Sequence, residues 1–268
     1  MERKVNPLLF TQIPKQGLIL IIGSIGSGKS ALAYSILEEA YNKWGKPSYV
    51  LNMPTEKQHL LPNYIMPVED DFPENSIVLS DEAYLSYGSR FSMSERNKFI
   101  NAFTGLVRQK GILGIFVTQT ARKLDVGIVS SAQVLLIKRP SILQMKLDRS
   151  ELKGILSEAL SYFKKSKVDS KKCVYCISDS FEGFIENSND VPSFWSDELS
   201  NIWAGISLKG TSKPKRSLIE LIKEMKKLGV VVDADLETNK LKIYNLPDEL
   251  KIDVEGYKKE LIRIGHLN

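Results

Sequence analysis

Residues 17–42 read GLILIIGSIGSGKSALAYSILEEAYN. The opening six residues are a continuous apolar run, the character of a strand buried on both faces. Beyond Lys29, Ala33, Ile36, Leu37 and Ala40 recur at helical spacing, so an amphipathic helix is expected to about Asn42. Between the two lies GSIGSGKS, a match to G-x-x-x-x-G-K-S placed directly after a buried strand and before a helix, the context that this motif requires. Gly23, Gly26 and Gly28 with Ser24 and Ser27 supply a loop whose backbone N–H groups can turn inward around phosphates, at the positive end of a helix dipole. Lys29 is placed to reach the β- and γ-phosphates as a point charge, and the Ser30 hydroxyl to ligate Mg²⁺. A glycine-rich turn with no ligand is the bland alternative, and Lys-Ser at these offsets argues against it. The stretch predicts a P-loop for ATP with Mg²⁺.

Apolar runs alternate with helical stripes from Gly17 to about Pro140, the pattern of a parallel sheet with helices on both faces. After GLILII, strands are expected near SYVLN, at SIVLS (Ser76 to Ser80), at ILGIFVT and at AQVLLIK. Ser92 and Glu95 have capping-box spacing ahead of Phe99, Ile100, Phe103, Leu106 and Val107, which predicts a helix ending near Lys110 and Gly111. A helix around Ser150 to Lys164 and a strand at CVYCIS continue the domain, followed by a loop-rich stretch through Pro192, Phe194 and Trp195. We expect an ATPase domain over 1–207, a basic linker over 208–216 (within LKGTSKPKRS) and a small module over 217–268. In that module a capping box at Ser217 and Glu220 opens a stripe of Leu218, Leu221, Ile222, Met225 and Leu228. Strands VVVDA and KLKIY and a last helix carrying Val254, Tyr257, Leu261 and Ile264 complete an αββα unit.

IVLSDEA sets Asp81 and Glu82 at the tip of a buried strand, the edge at which a parallel α/β sheet presents its ligand site. A carboxylate buried there is costly unless a cation or donor pairs with it. Asp81 is therefore expected to hold Mg²⁺ through water, and Glu82 to polarise the attacking water. Two acids at a helix N-terminus would be the structural alternative. Gln119 ends the fourth strand; if that strand runs between the first and third, its side chain is aimed at the γ-phosphate.

The 268 residues suffice for one large and one small domain, and 43% hydrophobic with 26% charged residues is the composition of a globular protein. Lys plus Arg number 37 against 32 acids; net +5 permits an acidic partner without demanding one. Cys173 and Cys176 make no disulfide framework, and the only histidines, His59 and His266, lie far from them. Two strand thiols in a reducing cytosol are thus favoured over zinc. With no apolar h-region at the N-terminus and no run approaching about 18 apolar residues, a soluble cytoplasmic protein with no membrane span is expected.

GSIGSGKS, IVLSDEA with the downstream Arg90, and LVRQKGILGIFVTQ together resemble the HerA/FtsK group of P-loop ATPases. Within it the chain looks closest to the DNA-packaging and plasmid ATPases of archaeal viruses and mobile elements, and to the zonula occludens toxin-like assembly ATPases of filamentous phages. PSFWSDELS is a weaker echo of the archaeal tails, and the likeness spans roughly Gly17 to Ile206. It implies a RecA-like α/β fold with strand order 5-1-4-3-2. It also implies a homo-oligomeric ring, commonly a hexamer, whose ATP sites are completed by an arginine from the next subunit. Arg108 matches that finger best, with Arg90 second; the family often has Arg-His there, and this sequence has Arg108-Gln109.

The likeness further implies a motor that translocates double-stranded DNA, for viral genome packaging or mobile-element maintenance, host-cytoplasmic or virion-associated. Lys164, Lys165, Lys167, Lys171 and Lys172 would touch DNA phosphates in the ring channel, or form a solvated loop. The αββα module weakly resembles the docking domains of multidomain synthases, which implies a protein partner or self-association. The alternatives are a morphogenesis or secretion ATPase acting on protein and an AAA+-type replication initiator or loader. The latter needs a three-helix lid that the sequence lacks. A small-molecule kinase would carry an arginine-rich lid, also lacking.

Overall fold

A computed structural model describes residues 5–51, 53–68, 73–81, 105, 107, 109–120, 126–202, 218–235, 240–247, 250, 254, 257 and 261. The chain divides into two compact units, Met1–Gly205 and Ile206–Asn268. In the first, the elements run α1 (Pro7–Thr11), β1 (Gly17–Ile22), α2 (Lys29–Trp44), β2 (Ser48–Leu51), β3 (Ile65–Val68), β4 (Ile77–Asp81) and β5 (Leu113–Thr118). They continue as α3 (Val126–Ser131), β6 (Val134–Ile137), α4 (Ile142–Leu147), α5 (Ser150–Lys165), β7 (Val174–Ser178), β8 (Glu182–Ile185) and α6 (Asp197–Ser200).

GLILII forms the central strand β1. Leu18, Leu20 and Ile22 enter one apolar layer and Ile19 and Ile21 the other, the period-two alternation of a strand covered on both faces. β5 and β6 flank β1, both parallel to it, and β4 and β2 extend the parallel sheet beyond β5. The full order is β3-β2-β4-β5-β1-β6-β7-β8. For the five strands read from sequence, this is 5-1-4-3-2 seen from the other edge. The strand expected at CVYCIS is β7, antiparallel to β6, and two strands not read from sequence complete the sheet: β3, parallel to β2 at one edge, and β8, antiparallel to β7, at the other.

Each face has its own helix. α5 lays Leu152, Leu156 and Ala159 on the layer that holds Leu18, Leu20 and Ile22. α2 covers the opposite layer, where Ala33, Ile36, Leu37 and Ala40 are fully buried. Burying a side chain of Leu or Ile size contributes roughly 1.5–3 kcal/mol, so these contacts hold the helices far better than propensity does. α2 is buried over all of Ala31 to Ala40, including Glu38 and Glu39, because more chain covers its outer side. It ends two residues beyond the expected Asn42, where Gly45 takes φ 62° and its N–H bonds Tyr41 O.

Most of the helix expected after Ser92 lies outside the described residues. Its end is described: Gly111 has φ 65° and the Ile112 N–H bonds Val107 O at 3.0 Å, a left-handed helix stop. The second unit contains α7 (Leu218–Lys227) and a hairpin of β9 (Val231–Asp235) and β10 (Lys240–Tyr244), antiparallel. Leu221, Met225, Leu250, Val254 and Leu261 form its own core. The linker 208–216 and most of the last helix lie outside the described residues. No helix among the described residues is long and apolar enough to cross a membrane.

Candidate functional site

Beyond Ile22 the chain turns through GSIGSG into α2. Gly28, the N-cap, has φ 86°, and a Cβ there would come 3.3 Å from Lys171 O. At Gly23, φ 156°, a Cβ would press on Lys138 at 2.8 Å. Both positions therefore require glycine for conformation and for space. The loop is fastened to the end of β6, because Arg139 O accepts from Ser24 N at 3.1 Å and from Ser24 Oγ at 2.8 Å. With a glycine N-cap, no side chain caps α2. Helix geometry leaves the first-turn amides of α2 without acceptors inside the helix, and Gly28, Lys29, Ser30 and Ala31 line a cavity.

Lys29 Nζ donates to Ser24 O at 2.8 Å, spanning the loop. Ser30 Oγ donates to Asp81 Oδ2 at 2.6 Å, joining the first turn of α2 to the tip of β4 across 51 residues. Asp81 is 9% exposed, and this charge-assisted bond offsets part of the cost of burying its carboxylate. β5 runs between β1 and β4, the condition that brings Gln119 to the same sheet edge as Gly23 and Asp81. Gln119 is exposed, its carbonyl accepts from Gln144 Nε2 at 2.6 Å, and it does not line the cavity. Glu82, Arg90 and Arg108 lie outside the described residues.

The cavity has a volume of about 580 Å³, within the usual range for small-molecule sites. One end is polar: Gly26, Gly28, Lys29, Ser30 and Asp81. The other is lined by Tyr34, Val191, Trp195, Leu199 and Ile202, with Asn189 and Asn201 as polar groups. Apart from Tyr34 of α2 itself, this second wall comes from residues 189–202, docked onto α2. Ser35 Oγ donates to Asp190 O at 2.6 Å, and buried Glu38 accepts from Ser193 N at 3.0 Å and from Ser193 Oγ. Tyr34 meets Phe194 and Trp195 at ring-centroid distances of 5.9 Å. Tyr64 donates to Glu38 at 3.3 Å; burial and that carboxylate push its hydroxyl up to about 12.

The turn Ser170–Lys172 forms the rest of the wall, so Lys171 and Lys172 of the basic cluster stand at the cavity lip. Lys172 Nζ lies 3.4 Å from Asp190 Oδ1. Beneath them is Lys138, which sequence reasoning missed. It is fully buried and donates to Lys171 O (2.7 Å), Cys173 O (3.1 Å) and Asn189 Oδ1 (3.0 Å). Burial pushes its ammonium down to about 7, against the pull of Cys173 and Asp169. Cys173 and Cys176 are free and buried, and burial pushes the Cys176 thiol up to about 12. No cluster of three or more His, Cys, Asp or Glu able to hold a metal is found among the described residues. Sequence signals for the second wall were faint: PSFWSDELS as an echo, and nothing for Lys138 or Asn189.

A mainly parallel sheet of this order, with a glycine-rich loop joining its central strand to an uncapped helix, defines a RecA-like P-loop NTPase fold. No protein-family model and no curated protein matches the chain. Among solved structures it is similar to the genome packaging NTPase B204 from Sulfolobus turreted icosahedral virus 2 in complex with AMPPCP. That match has 14% identity and TM-score 0.46, and covers 67% of this chain and 100% of that one. It is also similar to B204, the DNA-packaging ATPase from Sulfolobus turreted icosahedral virus, with 16% identity and TM-score 0.43, over 65% and 97% of the two chains. These neighbours are of the kind that the sequence resembles. Likeness at this level carries no inference about activity.

Proposed function

We propose that this chain binds ATP with Mg²⁺ in the cavity beside Gly23–Ser30 and hydrolyses it to drive a HerA/FtsK-type motor on double-stranded DNA. The observation that carries the nucleotide reading is the Ser30–Asp81 contact at 2.6 Å beside uncapped amides. Hydroxyl and carboxylate oxygens are hard donors that suit Mg²⁺, which is commonly held by one or two carboxylates plus substrate phosphates and water. Ser30 would ligate the ion directly and Asp81 through water. Held there, the ion would supply charge neutralisation at the phosphates.

The remaining roles fall to the protein's own groups. The loop amides and Lys29 orient the phosphates, Lys29 exchanging the Ser24 carbonyl for phosphate oxygen. The end lined by Tyr34, Val191, Trp195 and Ile202 accepts base and sugar, with Asn189 and Asn201 offering hydrogen bonds. Glu82 takes a proton from the attacking water, Gln119 senses the γ-phosphate, and Arg108 or Arg90 from the neighbouring subunit of a ring completes the site. Arginine supplied in trans is worth about 10³–10⁵ in rate in comparable systems. The DNA reading rests on the sequence resemblance.

The test is the steady-state ATPase rate with and without double-stranded DNA at several salt concentrations. Stimulation that fades as salt rises is expected, because phosphate contacts release counterions. ATPase activity indifferent to DNA at every salt would remove the DNA assignment and favour a motor that acts on protein.

A further inference from the structure

We propose that Lys138 is a positioning residue for the nucleotide site, its buried ammonium holding the cavity's second wall at a fixed distance from the phosphate loop. The inference rests on the nucleotide reading above and adds what fixes the width of that site.

An ammonium has three donors, and Lys138 finds three acceptors. All three belong to the wall: the carbonyls of Lys171 and Cys173, on either side of the cavity lip, and the side-chain oxygen of Asn189, which lines the cavity. Its own backbone belongs to the other side. Lys138 N donates to Ile22 O at 2.8 Å, the last residue before the loop. Its Cβ fills the place that a side chain at Gly23 would need. The next residue, Arg139, holds Ser24 through its carbonyl.

One residue therefore touches both the loop's first glycine and the wall opposite. Lys171 in turn lies against Gly28, so the wall also meets the loop directly at the start of α2.

A buried charge costs several kcal/mol before its hydrogen bonds are counted. A packing role alone would be filled better by Met or Leu. An ammonium instead ties two chain segments, the stretch 171–173 and Asn189, which are 33 to 51 residues from it in sequence, to one point. Asp169 and Cys173 act on it electrostatically, and Lys171 meets it through its carbonyl. Removing the ammonium takes this donor from the Lys171 and Cys173 carbonyls, leaves Asn189 Oδ1 with Ser188 Oγ, and frees the Ser170–Lys172 turn to move relative to Gly28. Nucleotide affinity should suffer, while the chemistry at Ser30, Asp81 and Glu82 keeps its own geometry.

The experiment, run at about pH 6 so that an amine held near 7 carries its charge, compares wild type, Lys138→Met and Asn189→Ala by calorimetric titration with Mg-ATP, steady-state kinetics and backbone amide exchange. Hydrogen bonds to charged groups are the strong ones, so a loss of affinity of at least about tenfold is expected for Lys138→Met. KM should rise by a similar factor with kcat changed less than about twofold, and Asn189→Ala should move the same way by less. Exchange should accelerate at residues 170–173 and 189, with β1 and β5 unchanged.

Wild-type affinity and wild-type exchange at 170–173 in Lys138→Met would overturn the proposal. So would wild-type affinity in Asn189→Ala if the Met variant fails to fold. Lys29→Ala serves as the control. If it too binds Mg-ATP like wild type, the nucleotide reading has failed, and amide exchange alone then decides whether Lys138 ties down the wall.

Discussion

Replacing Ser30 by Ala removes one oxygen and tests the contact on which the site reading turns. The lost bond is short at 2.6 Å, charge-assisted, and directed at a carboxylate that is 9% exposed. Such bonds contribute about 1.5–3 kcal/mol, most of it the penalty of leaving the buried partner less satisfied. For a domain of this size about 1 kcal/mol moves Tm by roughly 2–4 °C, so the variant alone should melt about 3–12 °C lower. The sharper readout is the further rise in Tm on adding Mg-ATP. Ligand at about 100 times Kd stabilises by about 2.7 kcal/mol, and a variant that binds 100-fold more weakly should gain only about 0.4 kcal/mol. Thermal melts of wild type, Ser30→Ala and Ser30→Thr, with ATP in Mg²⁺ or in EDTA, separate the two effects. Thr keeps the hydroxyl and should retain most of the Mg-dependent rise. A Ser30→Ala protein whose Mg-ATP rise equals wild type would refute the reasoning.

Lys29→Ala should lose nucleotide affinity, whereas Glu82→Gln should bind ATP and stop turning over; filter binding and phosphate release distinguish them, and full turnover by both would cancel both roles. Glu38→Ala removes the acceptor shared by Ser193 and Tyr64 beneath the aromatic wall. It should cost about 1–3 kcal/mol in chemical denaturation and expose Trp195 to a quencher, and an unchanged midpoint would contradict it. Burial holds Lys138 near 7 against 10.5 for a free lysine, so between these pH values the unfolded chain carries the extra proton. Wild type should therefore gain stability relative to Lys138→Met as pH rises from 7 to 10, by up to about 1.4 kcal/mol per unit. Parallel stability curves would show that the amine titrates normally.

The legible parts of this protein are those whose signal is local. GLILII declares a two-faced strand, GSIGSGKS the loop after it, and IVLSD a third strand ending in a carboxylate, and the five-strand order follows from the resemblance that they carry. β3 escaped because Ile65–Val68 contains Pro67, which breaks a strand pattern and is tolerated only where a sheet ends. β8, Glu182–Ile185, is only four residues long and opens on a glutamate and a glycine, and only its pairing with β7 makes it a strand. The second wall was hidden for another reason. Glu38 meets Ser193 across 155 residues and Lys138 meets Asn189 across 51, and neither pairing leaves a periodic trace. A lysine closing an apolar strand reads as a solvated end, and only the fold reveals it as buried.

Calorimetric titration of the full chain with Mg-ATP puts the central claim to the most direct test. One saturable event per chain is expected, weakened at least tenfold in EDTA and lost in Lys29→Ala. Absence of heat with a folded wild-type protein, or equal binding by the Lys29→Ala variant, would contradict the account.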